Sequence, residues 1–382
     1  MKILNIVGAR PNLVKIAPLL TAMRSHKDIE SMLVHTGQHY DKKLSEVFFA
    51  QMGIPEPDFN LDVGSGSQAT QTAEILKRIE PVLLEQKPDL VLVVGDVNST
   101  VAASLAAAKL GIPIAHVEAG LRSFDRSMPE EINRIVTDAL ADYLFVTEVD
   151  AVENLRREGR PSDRIYFVGN VMIDALQQFL PLAQKSRIVE DLGLTQNGKV
   201  MPFAVLTLHR PSNVDSPETL RKLLSVIEAV ASQITVIFPV HPRTQSKLDQ
   251  LKKNSQSQLR AIAPLGYLEF LCLLSRAKLV LTDSGGIQEE STVLGVPCLT
   301  LRENTERPVT VTKGTNRIIG QDPEKILAAT KDILAGHEKR RQRPDLWDGH
   351  AAERIVEILK REFLASGRNI ASMPTRREGY AK

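Results

Sequence analysis

Cysteine is scarce in this chain: 382 residues contain two, Cys272 and Cys298, both in apolar surroundings and neither at pairing or ligand-like spacing. That argues against a disulfide framework, signals no metal site, and makes buried free thiols in a reducing compartment the expectation. An excess of one charge is also missing. Lysine and arginine number 48 against 46 aspartates and glutamates, a net charge of +2, too small to argue for nucleic acid or a membrane surface as partner. Any anionic ligand must therefore be held by local cations. Nowhere do about eighteen apolar residues run together, so no membrane span is expected. The amino terminus, MKILNIVGARPN, interrupts a short apolar run with Asn5 and follows it with Gly8 and Arg10. That is a first strand rather than a signal peptide, and a cytoplasmic protein is expected.

What is present is the composition of a folded chain, 43% hydrophobic and 25% charged, with a length that suits two domains better than one core. Short apolar runs alternate with longer amphipathic ones, the pattern of an α/β protein with parallel sheets and helices on both faces. The first set of strands is expected at 3–7, 32–35, 90–94, 112–117, 143–147 and 165–168, with helices at 13–24, 71–85 and 100–110. After a polar segment at 184–199 a second set follows at 204–208, 235–240, 259–262, 279–282 and 297–301. The chain thus divides into two doubly wound, Rossmann-like halves, 1–170 and 171–350, facing a central cleft. The last strong helix, 351–364, precedes a polar tail, 367–382, expected to be flexible. Open parallel sheets bind ligands beyond the carboxyl ends of their strands, so the cleft is the first place to look.

Several stretches stand at such strand ends. GARPNLVK places Gly8, Arg10 and Lys15 where a turn enters a helix, either an anion site or a tight turn with surface charges. TDSGGIQEE brings Ser284, Gly285 and Gly286 to a helix start, where bare backbone N–H groups can approach a phosphate, with Glu290 one helical turn beyond Gly286. It matches neither a P-loop nor a dinucleotide fingerprint. LTLHRPSN ends a strand in His209 and Arg210; the histidine is either structural or a donor to a pyrophosphate. Arg307, in NTERPVT, offers a fork suited to phosphate. Among the carboxylates, Asp96 in GDVNST could simply cap a helix. Glu118 in HVEAG has no capping explanation. Ser127 and Glu130 in SMPEE have capping-box spacing, which leaves Glu130 open between a helix end and a cleft. Arg122, Asp125, Arg126 and Arg134 are expected to form loop-ordering ion pairs.

Taken together, GARPNLVKIAP, TGQHYD, GDVNST, HVEAGLRSFDRSMPEEINR, GNVMIDA, LTLHRPSNVD, FPVHPR, LTDSGGIQEE and NTERPVT, in this order along most of the chain, resemble the non-hydrolysing UDP-N-acetylglucosamine 2-epimerases. The resemblance implies a glycosyltransferase-B architecture with the UDP site in the second half, a terminal helix (351–366) crossing back to the first, a homodimer, and no nicotinamide or metal cofactor. It implies interconversion of UDP-N-acetylglucosamine and UDP-N-acetylmannosamine through loss of UDP to a bound 2-acetamidoglucal and re-addition. Asp96, Glu118 and Glu130 match the family's catalytic carboxylates, with His209 beside the diphosphate as a binding group or a proton donor to it. Arg10, Lys15, Arg210, Phe270, Ser284, Gly285, Gly286 and Arg307 match substrate contacts, and Glu290 a ribose contact.

The sequence also departs from the pattern. Asn12 stands where a glutamate is usual, HRPSN replaces His-Arg-Arg-Glu-Asn or His-Arg-Ala-Glu-Asn, and LWDGH lacks a glycine before Asp348 and Gly349. Activation by substrate at a neighbouring site, known in many members, would use Gln38 and Gln68, whereas Asp41 and Ser67 replace other residues there. The rival readings are an epimerase of a modified UDP-sugar such as UDP-2,3-diacetamido-glucuronate, a hydrolysing relative, a glycosyltransferase of the same fold, and a non-catalytic nucleotide-sugar sensor.

Overall fold

The computed structural model describes residues 1–37, 49, 51–240, 244, 258–339 and 341–365. Gln38, Asp41 and the tail at 367–382 lie outside that range, as do residues 241–243 of FPVHPR.

The first half builds a seven-stranded parallel sheet in the order β3-β2-β1-β4-β5-β6-β7. Its strands are β1 (Lys2–Val7), β2 (Glu30–His35), β3 (Phe59–Asn60), β4 (Leu90–Val94), β5 (Ile114–Ala119), β6 (Tyr143–Val146) and β7 (Ile165–Phe167). Two short strands, β8 (Thr195–Gln196) and β9 (Lys199–Val200), form a hairpin within the polar connecting segment. The second half is a six-stranded parallel sheet, β12-β11-β10-β13-β14-β15. It contains β10 (Phe203–Thr207), β11 (Thr235–Pro239), β12 (Leu259–Ile262), β13 (Leu279–Thr282), β14 (Cys298–Thr300) and β15 (Asn316–Ile318). A strand such as β4, LVLVV, is apolar and buried throughout because helices cover both faces of a parallel sheet.

Both sheets reverse their strand order once, between β1 and β4 and between β10 and β13. These reversals open a crevice at the strand ends. The four turns that flank them carry GARPN, GDVNS, LHRPS and TDSGG, so topology gathers the four motifs.

The helix Val171–Ala183 packs on helices Arg10–Arg24, Tyr267–Arg276 and Gly285–Leu294, and so touches both halves. One buried apolar cluster runs from Leu92 and Val94 through Leu176 and Phe179 to Val205 and Leu271. The terminal helix, Ala351–Ala365, lies against Arg10–Arg24. Its Ala352 N–H donates to Asp174 at 2.7 Å, and Lys360 pairs with Asp28 at 3.3 Å. Cys272 and Cys298 are buried and unpaired.

The structure differs from the sequence expectation at β5. The strand continues two residues past 117, so Glu118 sits inside it at a bulge where pairing with β6 shifts register between Val117 and Ala119. The two-residue strands and β15 were not expected, since such short elements carry no usable periodicity.

Candidate active site

Gly8 follows β1 in a place that admits no side chain: a Cβ there would fall 1.9 Å from Ser99 Oγ. The chain then enters the helix Arg10–Arg24. Asn12, the departure from the usual glutamate, accepts from the Ala9 N–H at 3.2 Å and donates to the Val94 carbonyl at 2.7 Å, tying the first turn to the end of β4. Of the expected cations in this turn, Arg10 has a side chain outside the described range. Lys15 is buried and forms an ion pair with Glu118 Oε2.

Glu118 is 3% exposed and has φ of 78°, a left-handed conformation that costs a non-glycine residue energy. The bulge turns its carboxylate toward the cleft, where Oε1 accepts from Arg307 Nη2. Arg307 also pairs through Nε with Glu289 Oε1 at 2.5 Å. One guanidinium from the second half thus ties a carboxylate of each half. Buried among Glu289, Glu118, Glu306 and Asp96, it is held more firmly protonated than an ordinary arginine, although burial itself opposes the charge.

Asp96 does not cap the following helix, whose N-cap is Val97 without a side-chain bond. It accepts instead from Arg134 Nε at 2.9 Å. Burial would raise its pKa, but Arg134, Lys15 and Arg307 together keep it below the ordinary value, so Asp96 is ionised at neutral pH. Arg134, expected to order a loop, therefore also holds a candidate catalytic group.

The expected capping box at Ser127 and Glu130 is not formed. Pro129 opens the helix Pro129–Leu140 behind Met128 as N-cap, and Ser127 spends its hydroxyl on Asp125 Oδ1 at 2.6 Å. Glu130, 36% exposed, faces Arg210 Nη1 across the cleft at 3.5 Å. Its neighbour Glu131 turns back to accept from the Ser123 and Phe124 amides at 2.9 Å each, closing the loop after β5.

In the second half, the buried Asp283 organises the histidine turn. It accepts from the backbone N–H of Arg210 at 2.9 Å and from Asn213 at 3.0 Å, and its Oδ1 lies 2.8 Å from His209 Nδ1. A carboxylate there requires a proton on Nδ1 and fixes the ring's orientation. Ser284 is the N-cap of the helix Gly285–Leu294. A Cβ on Gly285 would meet Glu306 Oε1 at 2.8 Å, so the glycine lets the buried Glu306 approach the helix start. Arg302 at 2.8 Å and Arg210 at 3.5 Å flank Glu306; with Arg307 and Arg134 these outweigh burial and keep it strongly acidic. Glu290 is buried and accepts from the Tyr267 hydroxyl at 3.0 Å. Burial, with Glu289 nearby, pushes its pKa up to about 7 against the Tyr267 hydrogen bond. Phe270 lies one turn along the same helix as Tyr267, partly buried on the core.

The sequence reading thus placed Lys15, Glu118 and Arg307 in what proves to be one contact cluster. Sequence reasoning missed Asp283, Glu289 and Glu306, each inside a quoted motif beside a residue that was chosen. It also missed Glu131, beside Glu130 in SMPEE, and Glu148, an acid after a strand whose burial the sequence does not show.

The fold and cleft define a two-domain protein of the glycosyltransferase-B type, with paired arginines and carboxylates between its halves. A family profile described as UDP-N-acetylglucosamine 2-epimerase matches residues 21–360. A UDP-N-acetylglucosamine 2-epimerase of Methanocaldococcus jannaschii is 43% identical over 367 residues, 94% of this chain and 99% of that protein. The Pseudomonas aeruginosa UDP-2,3-diacetamido-2,3-dideoxy-D-glucuronate 2-epimerase is 42% identical over 363 residues, 94% of this chain and 99% of that protein. The crystal structure of the M. jannaschii epimerase with UDP-GlcNAc and UDP superposes with a TM-score of 0.87, covering 94% of this chain and 100% of that one. The chain belongs to the UDP-N-acetylglucosamine 2-epimerase family.

Proposed function

We propose that the protein interconverts UDP-N-acetylglucosamine and UDP-N-acetylmannosamine by eliminating UDP and adding it back. The carrying observation is the joining of Glu118, Lys15 and Arg307 at the cleft, with Asp96 ionised beside them. The proton on sugar carbon 2 has no neighbouring carbonyl to acidify it. Cleaving the anomeric C–O bond, with the electron pair leaving on UDP, makes that proton removable and yields a bound glycal. Arg307, Lys15 and Arg210, with the Gly285 and Gly286 amides, would hold the diphosphate, and Arg10 and Ser284 belong to the same proposal. Asp96, Glu118 and Glu130 would handle the proton and the charge on the sugar. His209, oriented by Asp283, would bind the diphosphate or protonate it as it leaves. Glu290 would take the ribose hydroxyls, with Phe270 beside it.

The same proposal takes the halves as domains divided near residue 170, closing over the intermediate, in a homodimer of the cytoplasm. Incubation with UDP-N-acetylglucosamine in deuterated water should give UDP-N-acetylmannosamine with deuterium at carbon 2, seen by NMR. A second reading, epimerisation of UDP-2,3-diacetamido-glucuronate, is favoured by the 42% identity to the P. aeruginosa enzyme. Exchange with that sugar alone would replace the first reading; release of free N-acetylmannosamine would indicate hydrolysis.

A further inference from the structure

Glu148 follows β6 and is the N-cap of the helix Val149–Arg157, yet its side chain makes no capping bond. It is 2% exposed, and among the described residues neither carboxyl oxygen has a hydrogen-bond partner. β5 and β6 are neighbours, paired at Ala119 and Val146, so Glu148 leaves the sheet beside the strand end that carries Glu118. The charged groups acting on it are Arg307, Glu289 on the helix Gly285–Leu294, Asp150 on its own helix, and Glu118. Among the described residues, Glu118 Oε2 and Arg307 Nε have only ion-pair partners, and the donor Arg307 Nη1 and the acceptor Glu289 Oε2 have no hydrogen-bond partner.

An orphaned buried carboxyl costs free energy and calls for an explanation. Arg307 is already shared by Glu118 and Glu289, and a third ionised carboxylate would add repulsion without a cation to match it. Protonated, the same group has one donor and one acceptor, and could give a hydrogen bond to a carboxylate while receiving one from a guanidinium. Burial, with Glu289, Asp150 and Glu118 nearby, holds its pKa well above the usual carboxylate range, Arg307 opposing.

We propose that Glu148 is a positioning acid of this site, uncharged at neutral pH, whose O–H supports one of the two carboxylates, Glu118 or Glu289, when a bound diphosphate draws on Arg307. The diphosphate competes with both carboxylates for one guanidinium. A neutral acid at the neighbouring strand end offers one replacement hydrogen bond, so that a carboxylate stays aimed while Arg307 serves the phosphate. The kinetic part of this inference rests on the epimerase reading; its protonation state does not.

Two measurements on the full-length protein test it. The infrared difference spectrum between wild type and Glu148→Gln at neutral pH should show the carbonyl band of a protonated carboxyl, present only in wild type. In turnover, Glu148→Gln, which keeps a donor and an acceptor, should stay within about threefold of wild type, while Glu148→Ala should lose roughly 10- to 100-fold in kcat, the scale of one hydrogen bond to a charged group. Absence of the band overturns the proposal whatever the activity. With the band present, a Gln variant as damaged as the Ala variant overturns it by showing that the proton must move, and an Ala variant of normal kcat overturns it by showing the group idle. Should the Ala variant not fold, the pH profile of Glu148→Gln decides. The alkaline loss of kcat/KM in wild type should be weakened in that variant, and an unchanged limb sinks the proposal.

Discussion

At the scale of single residues the site is a competition for cations. Glu118 shares Lys15 and Arg307, Asp96 holds Arg134, and Glu130 reaches Arg210, so each candidate carboxylate has a different counter-charge. Asp96→Asn, Glu118→Gln and Glu130→Gln should each lower the epimerisation rate at least about 100-fold, the scale of a missing acid–base group. Near-normal turnover in Glu130→Gln would reduce that residue to a charge at a helix start. Glu290 makes a prediction about stability. Its pKa rises on folding from an ordinary 4.5 to about 7, so the folded state keeps a proton that the unfolded chain releases. Its contribution therefore favours folding least at high pH: stability is lost as pH climbs from about 4.5 to about 7, by roughly 3 kcal/mol at the upper limit. Glu290→Gln should flatten that part of the curve of thermal midpoint against pH, and a wild-type slope in the variant would remove the assignment. Glu118 was legible in the sequence because nothing but a site explained it. Glu148 was not, since an acid after a strand looks like any helix start until its burial is seen.

Among elements, the loop after β5 and the helix Pro129–Leu140 show how spacing can mislead. Serine and glutamate three apart suggested a capping box, but Pro129 at the first helical position makes Met128 the cap and leaves Ser127 outside. The following acid, Glu131, binds the Ser123 and Phe124 amides and Arg134. Glu131→Ala should therefore speed hydrogen exchange at Ser123 and Phe124 and cost about 1–3 kcal/mol of stability; unchanged exchange at both amides would show that the loop holds itself. Within β5, His116 lies between Asp138 at 2.6 Å and the Gly95 carbonyl at 2.9 Å, while Asp138 also receives the Gly120 N–H at 3.0 Å. Neighbours on both sides of Glu118 are thus anchored to one buried carboxylate, which helps a strained φ persist. Strand and helix periods were readable where apolar runs were long, as in β4 and Arg10–Arg24. They were unreadable in the β8–β9 hairpin, where two residues per strand define no period.

For the whole molecule, the two halves were legible as architecture, and their motifs fell at strand ends; the meeting of those motifs was not. Glu118 and Arg307 stand 189 residues apart, one at the end of β5 and the other after β14, and it is the fold that brings them together. Arg307→Ala would leave Glu118 and Glu289 as buried carboxylates without their shared cation, a loss of about 3–5 kcal/mol. Glu289, whose pKa burial already raises and which Arg307 holds down, would then bind a proton more readily in the folded state, so the deficit in thermal midpoint should shrink as pH is lowered toward 5. A deficit independent of pH would mean that packing rather than charge had been lost. The seam carries one further group, Trp347, the chain's single tryptophan. It is buried, and its indole N–H donates 2.9 Å to the carbonyl of Thr147, next to Glu148. The protein therefore contains its own optical probe: with no other indole to mask it, tryptophan emission reports on the ground beside the site as UDP is added, in unlabelled protein.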